Sequence, residues 1–193
     1  AKLLKSAVYE VILPGFDYDQ IDRSKRSKVA VQIGWIGRLT KIKRPDRVLE
    51  VARLIPEYSF LIAGSGELEG SLRTNMPSNV RLLGWVDPAT FWQGISAGLL
   101  TSDNEATPYA IIEANMAGIP FVATDVGSVS EVIADGETGL VTNKSVDSLV
   151  AAVNTLLQDQ QKRAAMGTLA ASRAQSLFSV DRMINAHIAL YKS

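Results

Sequence analysis

Apolar and polar positions along this chain switch repeatedly between two periods. Short runs rich in β-branched residues, such as VAVQIGWIG closing on Gly37, predict buried strands. Segments with apolar residues three and four apart predict helices. In PDRVLEVARLI (45–55), Val48, Val51, Ala52 and Ile55 share one face, and Pro45 suits a first helical turn. YSFLIAG (58–64) then predicts a strand, GELEGSLRTN (66–75) a helix, and NVRLLG (79–84) a strand. PATFWQG (88–94) predicts a short helix and AGLLTS (97–102) a strand. PYAIIEANMAG (108–118) predicts a helix with Gly118 and Pro120 as its stop. IPFVATD (119–125), SVSEVIAD (128–135) and GLVTN (139–143) predict strand, helix and strand. Beyond residue 143 the pattern is helical only. Leu149, Val150, Val153, Leu156 and Leu157 form a stripe, and QQKRAAMGTLAASRAQSLF and SVDRMINAHIALYKS predict two further helices.

Such alternation implies right-handed βαβ units and a parallel sheet covered on both faces. The expected fold is α/β, a Rossmann-like doubly wound parallel sheet with C-terminal helices. Residues 28–193 carry no repeat or linker and are expected to form one domain. Residues 1–27 differ. VYEVILPGFD suits one strand and a turn, and DQIDRSKRSK suits a polar connector.

Composition narrows the chemistry. The 193 residues hold 20 basic and 20 acidic side chains, one histidine and no cysteine. Zero net charge offers no footprint for nucleic acid. The absence of cysteine removes disulfides and thiolate chemistry, and a single histidine rules out a multi-histidine metal site. The richest apolar run, Tyr109 to Val126, contains Glu113 and Asp125, so no membrane span is expected. The start, AKLLKSAVYEVILPG, reads poorly as a signal peptide. A cytoplasmic location is expected, with peripheral membrane association left open for a full-length protein.

Ligands of doubly wound sheets bind at the carboxyl ends of the strands, which directs attention to three loops. In TSDNEATPYAIIEANMAG, Thr107 is the expected N-cap and Pro108 the first helical residue. The amides of Tyr109, Ala110 and Ile111 are then expected to lack intrahelical partners and, with the helix dipole, to form an anion site. Glu105 stands two residues before this cap. Glu113 stands six after it, roughly 9 Å along the axis at about 1.5 Å per residue. A phosphorylated sugar nucleotide, with hydroxyls on either side of its phosphates, has that layout. The alternative is that Glu105 is a solvated loop acid and Glu113 an exposed helix residue. In IGRLTKIKRP, Arg38 and Lys43 could neutralise a diphosphate; a generic basic loop is the alternative. AGSGELEG (63–70) has the wrong spacing and position for a nicotinamide-cofactor loop, but its turn at Gly66 could flank a ribose or base. Asp17 and Asp19 read as a surface turn, and His187 as a packing residue.

GRLTKIKRPD, IAGSGE, VRLLGWV, EATPYAIIEANMAGIPFVAT and SVSEVIADGETGLV resemble, in order and spacing, the donor-binding domain of group 1 (family 4) glycosyltransferases of the GT-B fold. The most specific element is E-x7-E, here Glu105 to Glu113. The resemblance implies that Arg38 and Lys43 contact donor phosphates, that Glu113 holds the ribose hydroxyls, and that Glu105 with the backbone after it holds the transferred sugar. It further implies that Thr107, Pro108, Tyr109 and Ala110 line the phosphate and sugar subsites, and that the base lies near Gly64–Gly66 and Leu83–Val86. It implies a retaining, metal-independent reaction without a cofactor, with a nucleotide-sugar or nucleoside diphosphate as ligand. Where the family usually has glycine and an aromatic after the first glutamate, this chain has Ala106 and Thr107. Arg44 replaces a common glycine, LPGFD lacks a common asparagine, and Asn115 replaces an alanine. Such enzymes have two Rossmann-like domains, so the chain resembles the C-terminal half, with residues 1–27 as the end of an interdomain connector and an N-terminal acceptor-binding domain as its partner. Alone, this half is expected to transfer nothing. A non-catalytic nucleotide-sugar binding module, or part of an epimerase or phosphorylase on the same plan, are the competing readings.

Overall fold

The computed structural model describes residues 11–17 and 31–192. Strands β1 (Gln32–Ile36), β2 (Ser59–Ala63), β3 (Val80–Leu82), β4 (Ala97–Leu100), β5 (Phe121–Thr124) and β6 (Gly139–Thr142) form one sheet. Between them run α1 (Pro45–Leu54), α2 (Glu69–Thr74), α3 (Pro88–Gln93), α4 (Tyr109–Met116) and α5 (Val129–Val132). Helices α6 (Val146–Gln158), α7 (Gln160–Phe178) and α8 (Val180–Lys192) follow the last strand. Every pairing is parallel, in the order β3-β2-β1-β4-β5-β6. The chain thus winds outward from β1 in one direction and from β4 in the other, the doubly wound α/β fold expected from the sequence. β1 stays paired with β2 as far as Ile36↔Ala63, but with β4 only at Ile33↔Ala97 and Gly34↔Gly98. The two central strands therefore part toward their carboxyl ends, the place where this topology opens a crevice.

Strand side chains alternate between two apolar layers, as the two-residue period requires. Ile33, Trp35, Phe60, Ile62, Leu99 and Val122 pack with Val48 and Val51 of α1 and Leu149 and Val153 of α6. Ala63, Leu100, Phe121 and Ala123 face the other way, onto Trp92 of α3, Ile111 and Ile112 of α4, and Ala174 and Phe178 of α7. Phe60 and Phe121 are fully buried, and burying a side chain of this size stabilises by about 1.5–3 kcal/mol.

Several boundaries differ from expectation for local reasons. α2 begins at Glu69 rather than at residue 66, because Gly66 is at φ +156° and the Leu68 N–H is drawn to the Leu39 carbonyl at 3.0 Å. α5 keeps only four residues, since Ile133 is extended and the Ala134 N–H goes to Thr138 Oγ1 at 2.9 Å. The expected strand in VYEVILPGFD is reduced, within residues 11–17, to one bridge between Phe16 and Ser179, with the Phe16 N–H on the Phe178 carbonyl at 2.8 Å. The rest of that segment, Asp19 and the polar connector lie outside the described residues.

Candidate functional site

The crevice between β1 and β4 holds two neighbouring cavities. One, of about 310 Å³, is walled by Gly37 and Arg38 after β1, Gly64 and Ser65 after β2, Trp85 and Pro88 before α3, and Tyr109, Ala110 and Glu113 of α4. The other, of about 150 Å³, is walled by Lys43, Ser102, Glu105, Thr107 and Pro108, and shares Ile36, Gly37, Tyr109 and Ala110 with the first. A wider depression of about 770 Å³ lies by the ends of β5 and β6. Three of its charged groups are already engaged: Arg173 donates to the Val132 and Glu131 carbonyls, Lys144 Nζ to the Asp103 carbonyl, and Asp135 accepts from the Val141 N–H. Shape alone would favour that depression; free chemistry favours the crevice.

Glu105 is the anchor of the smaller cavity. Only 5% exposed, it lies with both carboxylate oxygens 2.7 Å from Lys43 Nζ, and Ser102 Oγ donates to Oε1 at 2.6 Å. A solvated loop acid is thereby excluded. A buried carboxylate persists only when paired and hydrogen-bonded, and here it has both. Lys43 keeps 27% of its side chain exposed and lines the smaller cavity.

The turn that presents Glu105 is fixed from below by Gly127, at φ +53°. The Glu105 carbonyl accepts the Ser128 N–H at 3.2 Å and passes so close to Gly127 that a Cβ there would stand 1.7 Å from it. Gly64, at φ +133°, plays the same part for the loop after β1: a Cβ would meet the Gly37 carbonyl at 1.9 Å. Thr101 ties the loops together. Its Oγ1 accepts from Trp35 Nε1 at 3.1 Å and donates toward the carbonyls of Arg44 and Lys43 at 2.8 and 3.1 Å. Arg44 adopts a left-handed conformation (φ 51°, ψ 49°), which explains why glycine is the common residue there.

The tip of α4 departs from expectation. Its cap is Pro108, not Thr107, and no side chain caps it. Pro108 has φ −80° and ψ 76°, short of helical geometry, and the Tyr109 N–H turns back to the Thr107 carbonyl at 3.0 Å. The Ile111 N–H is taken by the Pro108 carbonyl at 3.0 Å. Of the three amides expected to be free, only that of Ala110 lacks an acceptor among the described residues. One amide and the helix dipole form a smaller anion site than three amides would.

Glu113 is half-buried rather than exposed, on the side of α4 toward α3. Burial pushes its carboxyl above the ordinary carboxylate value, and the charge of Asp87 adds to this. The Trp92 indole N–H is near enough to oppose the shift but makes no well-formed hydrogen bond. Asp87 itself caps α3, accepting from the Thr90 N–H at 2.8 Å.

Most of the expected site residues therefore converge. Arg38, Tyr109, Ala110 and Glu113 share the larger cavity, and Lys43, Glu105, Thr107 and Pro108 the smaller. Gly66 lines neither; Gly64 and Ser65 form that wall, while Gly66 packs on the Leu39 carbonyl. His187 lies on α8 with Nδ1 2.8 Å from the Met183 carbonyl, remote from both cavities in its contacts. Sequence reasoning passed over Ser102, Trp92 and Gly127. Only Gly127 left a legible trace, a glycine just after a strand. Among the described residues no group of three His, Asp or Glu could hold a metal, and no helix is long and apolar enough to cross a membrane.

Comparison with known proteins gives this geometry a lineage. The chain is 33% identical over 130 residues to the O-antigen biosynthesis glycosyltransferase WbnH of Escherichia coli, covering 66% of this chain and 38% of that protein. It is 28% identical over 210 residues to the D-inositol 3-phosphate glycosyltransferase of Mycobacterium avium, covering 95% and 49%. The chain thus spans less than half the length of these curated relatives. Among solved structures it superposes on Anabaena Alr3699/HepE, crystallised with UDP and glucose, with a TM-score of 0.86 at 22% identity, over 95% of this chain and 56% of that one. The sequence profile described as "Glycosyl transferases group 1" matches residues 18–173, and with Glu105, Glu113, Arg38 and Lys43 gathered at the β1/β4 crevice the chain belongs to the group 1 glycosyl transferases.

Proposed function

We propose that this domain is the donor-binding half of a retaining, hexose-transferring glycosyltransferase. The observation that carries the reading is which groups line the two adjoining cavities. Glu113, Arg38 and Ala110, with its free amide, line the larger one, and the Lys43–Glu105 pair lines the smaller, with Tyr109 and Ala110 common to both. A nucleotide-sugar carries groups that match such a set. Its ribose hydroxyls would bond Glu113, its diphosphate would lie by Arg38, Lys43 and the Ala110 N–H, and its sugar would extend beside Glu105. Trp85 and Gly64 also line the larger cavity, and the base would rest against them. Support also comes from the Anabaena neighbour, which was crystallised with a nucleotide of this class.

In the proposed reaction the bond between the anomeric carbon and the diphosphate breaks while an acceptor oxygen bonds the same carbon from the same face. The acceptor proton passes to the departing phosphate oxygen. Arg38, Lys43 and the α4 dipole would stabilise the charge growing on the diphosphate, a role for fixed cations that a bound metal would otherwise fill. Residues 1–27 would be the end of an interdomain connector and 28–193 the donor domain, with a second, acceptor-binding domain as partner in a full-length, cytoplasmic protein. Because that domain would position the acceptor, and positioning supplies much of the rate, these 193 residues alone should bind donor and transfer no sugar. Incubation with a panel of sugar nucleotides and acceptors tests this. Efficient transfer by this chain alone would overturn the half-enzyme reading.

A further inference from the structure

Arg47, on α1, is only 7% exposed, although no donor contact is proposed for it. Its Nη1 donates to the Thr101 carbonyl at 2.6 Å and its Nη2 to Asp103 Oδ1 at 2.9 Å. Asp103 also receives Arg44 Nη1 on Oδ2 at 3.4 Å, and Arg44 closes a second ion pair on Asp46 at 2.8 Å. The backbone of Asp103 is held as well. Its N–H donates to the Ile42 carbonyl at 2.8 Å and its carbonyl accepts Lys144 Nζ at 3.0 Å. Residues 42–44, which carry Lys43, are thus strapped to residues 101–105, which carry Glu105.

We infer that Asp103 is a positioning residue: by holding Arg44 and Arg47 together it sets the backbone on either side of Lys43, and so keeps Lys43 Nζ on Glu105 and at the phosphate subsite. The inference rests on the donor-site reading. The physical argument is one of geometry. Arg44 occupies a conformation that a non-glycine residue does not favour, and three carboxylate oxygens of Asp46 and Asp103 hold its guanidinium there. Burial works against ionisation of Asp103, but Arg47 and Arg44 outweigh it and hold the carboxyl below its ordinary range. An uncharged replacement keeps the volume but loses the charge that the two arginines share. Arg44 then keeps Asp46 and loses its link to residues 101–105, so the backbone carrying Lys43 is held less firmly against Glu105.

The test uses Asp103→Asn in this chain, with two readouts. The first is the ¹⁵N resonance of the Lys43 ammonium, assigned by its loss in Lys43→Arg. It should be sharp and exchange-protected in the wild type and broadened or absent in Asp103→Asn, with Lys162 and the other surface lysines unchanged. The second is affinity for UDP, GDP and ADP against their nucleosides. Diphosphate binding should weaken about tenfold, equivalent to about 1.4 kcal/mol, with nucleoside binding unchanged. Should Asp103→Asn fail to fold, Arg47→Lys, which keeps the buried charge but loses the fork, is expected to give the same two changes. A Lys43 signal that survives both substitutions, or equal losses for diphosphate and nucleoside, would overturn the inference. If the wild type binds no nucleotide yet its Lys43 signal is lost in Asp103→Asn, the positioning role stands and the donor-site reading falls.

Discussion

Lys43 and Glu105 neutralise each other inside the crevice, with Nζ 2.7 Å from both carboxylate oxygens. The two residues are 62 positions apart, on loops leaving β1 and β4, so this contact joins the two halves of the sheet at their switch point. On the donor-site proposal, an incoming diphosphate would meet the Arg38 guanidinium and the Ala110 amide, neither of which has a hydrogen-bond partner among the described residues, and would gain Lys43 only in competition with Glu105.

Removing the carboxylate should destabilise the fold. Glu105→Ala leaves the Ser102 hydroxyl and the Lys43 ammonium without their acceptor in a mostly buried place, a cost of about 2 kcal/mol after allowance for the partial exposure of Lys43. Glu105→Gln keeps one acceptor oxygen and should lose less than half of that. Urea denaturation of the three proteins compares them. Equal stability for Glu105→Ala and wild type would mean the pair contributes nothing.

Glu113 gives a pH dependence with a definite sign. Burial raises its folded-state value above the ordinary one near 4.5, so the native state holds this proton more tightly than the unfolded chain. Stability from this group is complete below the unfolded value and is lost as pH rises through the raised folded value. Glu113→Gln, which stays neutral, should be more stable than wild type at pH 7 and equal to it near pH 4. Thermal melts at the two pH values decide this. A variant less stable at pH 7 would contradict the burial argument.

The left-handed residue Arg44 separates backbone strain from ion pairing. Arg44→Gly loses two partly exposed pairs but relieves the conformation, and should change stability by no more than about 1 kcal/mol. Arg44→Val loses both the pairs and the side-chain freedom, and should cost about 2 kcal/mol. Chemical denaturation of both variants should show that order, and the reverse would remove strain from the account.

Gly127→Ala sets a methyl group against the Glu105 carbonyl at a backbone angle that alanine avoids. The turn below Glu105 must move, at a cost of about 3 kcal/mol or more. A melting temperature within 2 °C of wild type, roughly the shift from half a kcal/mol in a domain of this size, would show that the turn is not fixed in this way.

The sheet was legible because most strands are short apolar runs rich in β-branched residues, and because α1 and α6 carry a clear 3.6-period stripe. Ile33, Trp35, Phe60 and Ile62 fall two apart along β1 and β2 and share one face, as the strand period requires. That Glu105 and Glu113 would face one region was legible from spacing, and they line adjoining cavities. The ion pair of Glu105 with Lys43 was not, since nothing in two loops 62 residues apart states which charges will meet. The cap of α4 was misplaced by one residue because Thr107 and Pro108 fit the common cap-then-proline pattern; the backbone angles of Pro108 instead put the proline at the cap. The half-burial of Glu113 escaped the sequence because Trp92, on the neighbouring helix α3, supplies the cover.

Arg38 offers the cleanest separation of phosphate from nucleoside recognition. It is exposed, lies outside the core, and walls the larger cavity. Arg38→Ala should lower affinity for a nucleoside diphosphate about tenfold or more, at about 1.5–3 kcal/mol for a charged hydrogen bond, and leave the bare nucleoside unaffected. Parallel titrations measure the ratio, and equal losses for the two ligands would place Arg38 away from the phosphates.

Calorimetric titration of these 193 residues with UDP, GDP and ADP tests the central claim most directly. The account predicts saturable, one-to-one binding of at least one of them at millimolar concentration or below, weakened about tenfold or more by Glu113→Ala through loss of a charged acceptor for the ribose hydroxyls. No heat of binding with any of the three at millimolar concentration, from a chain shown to be folded, would contradict it.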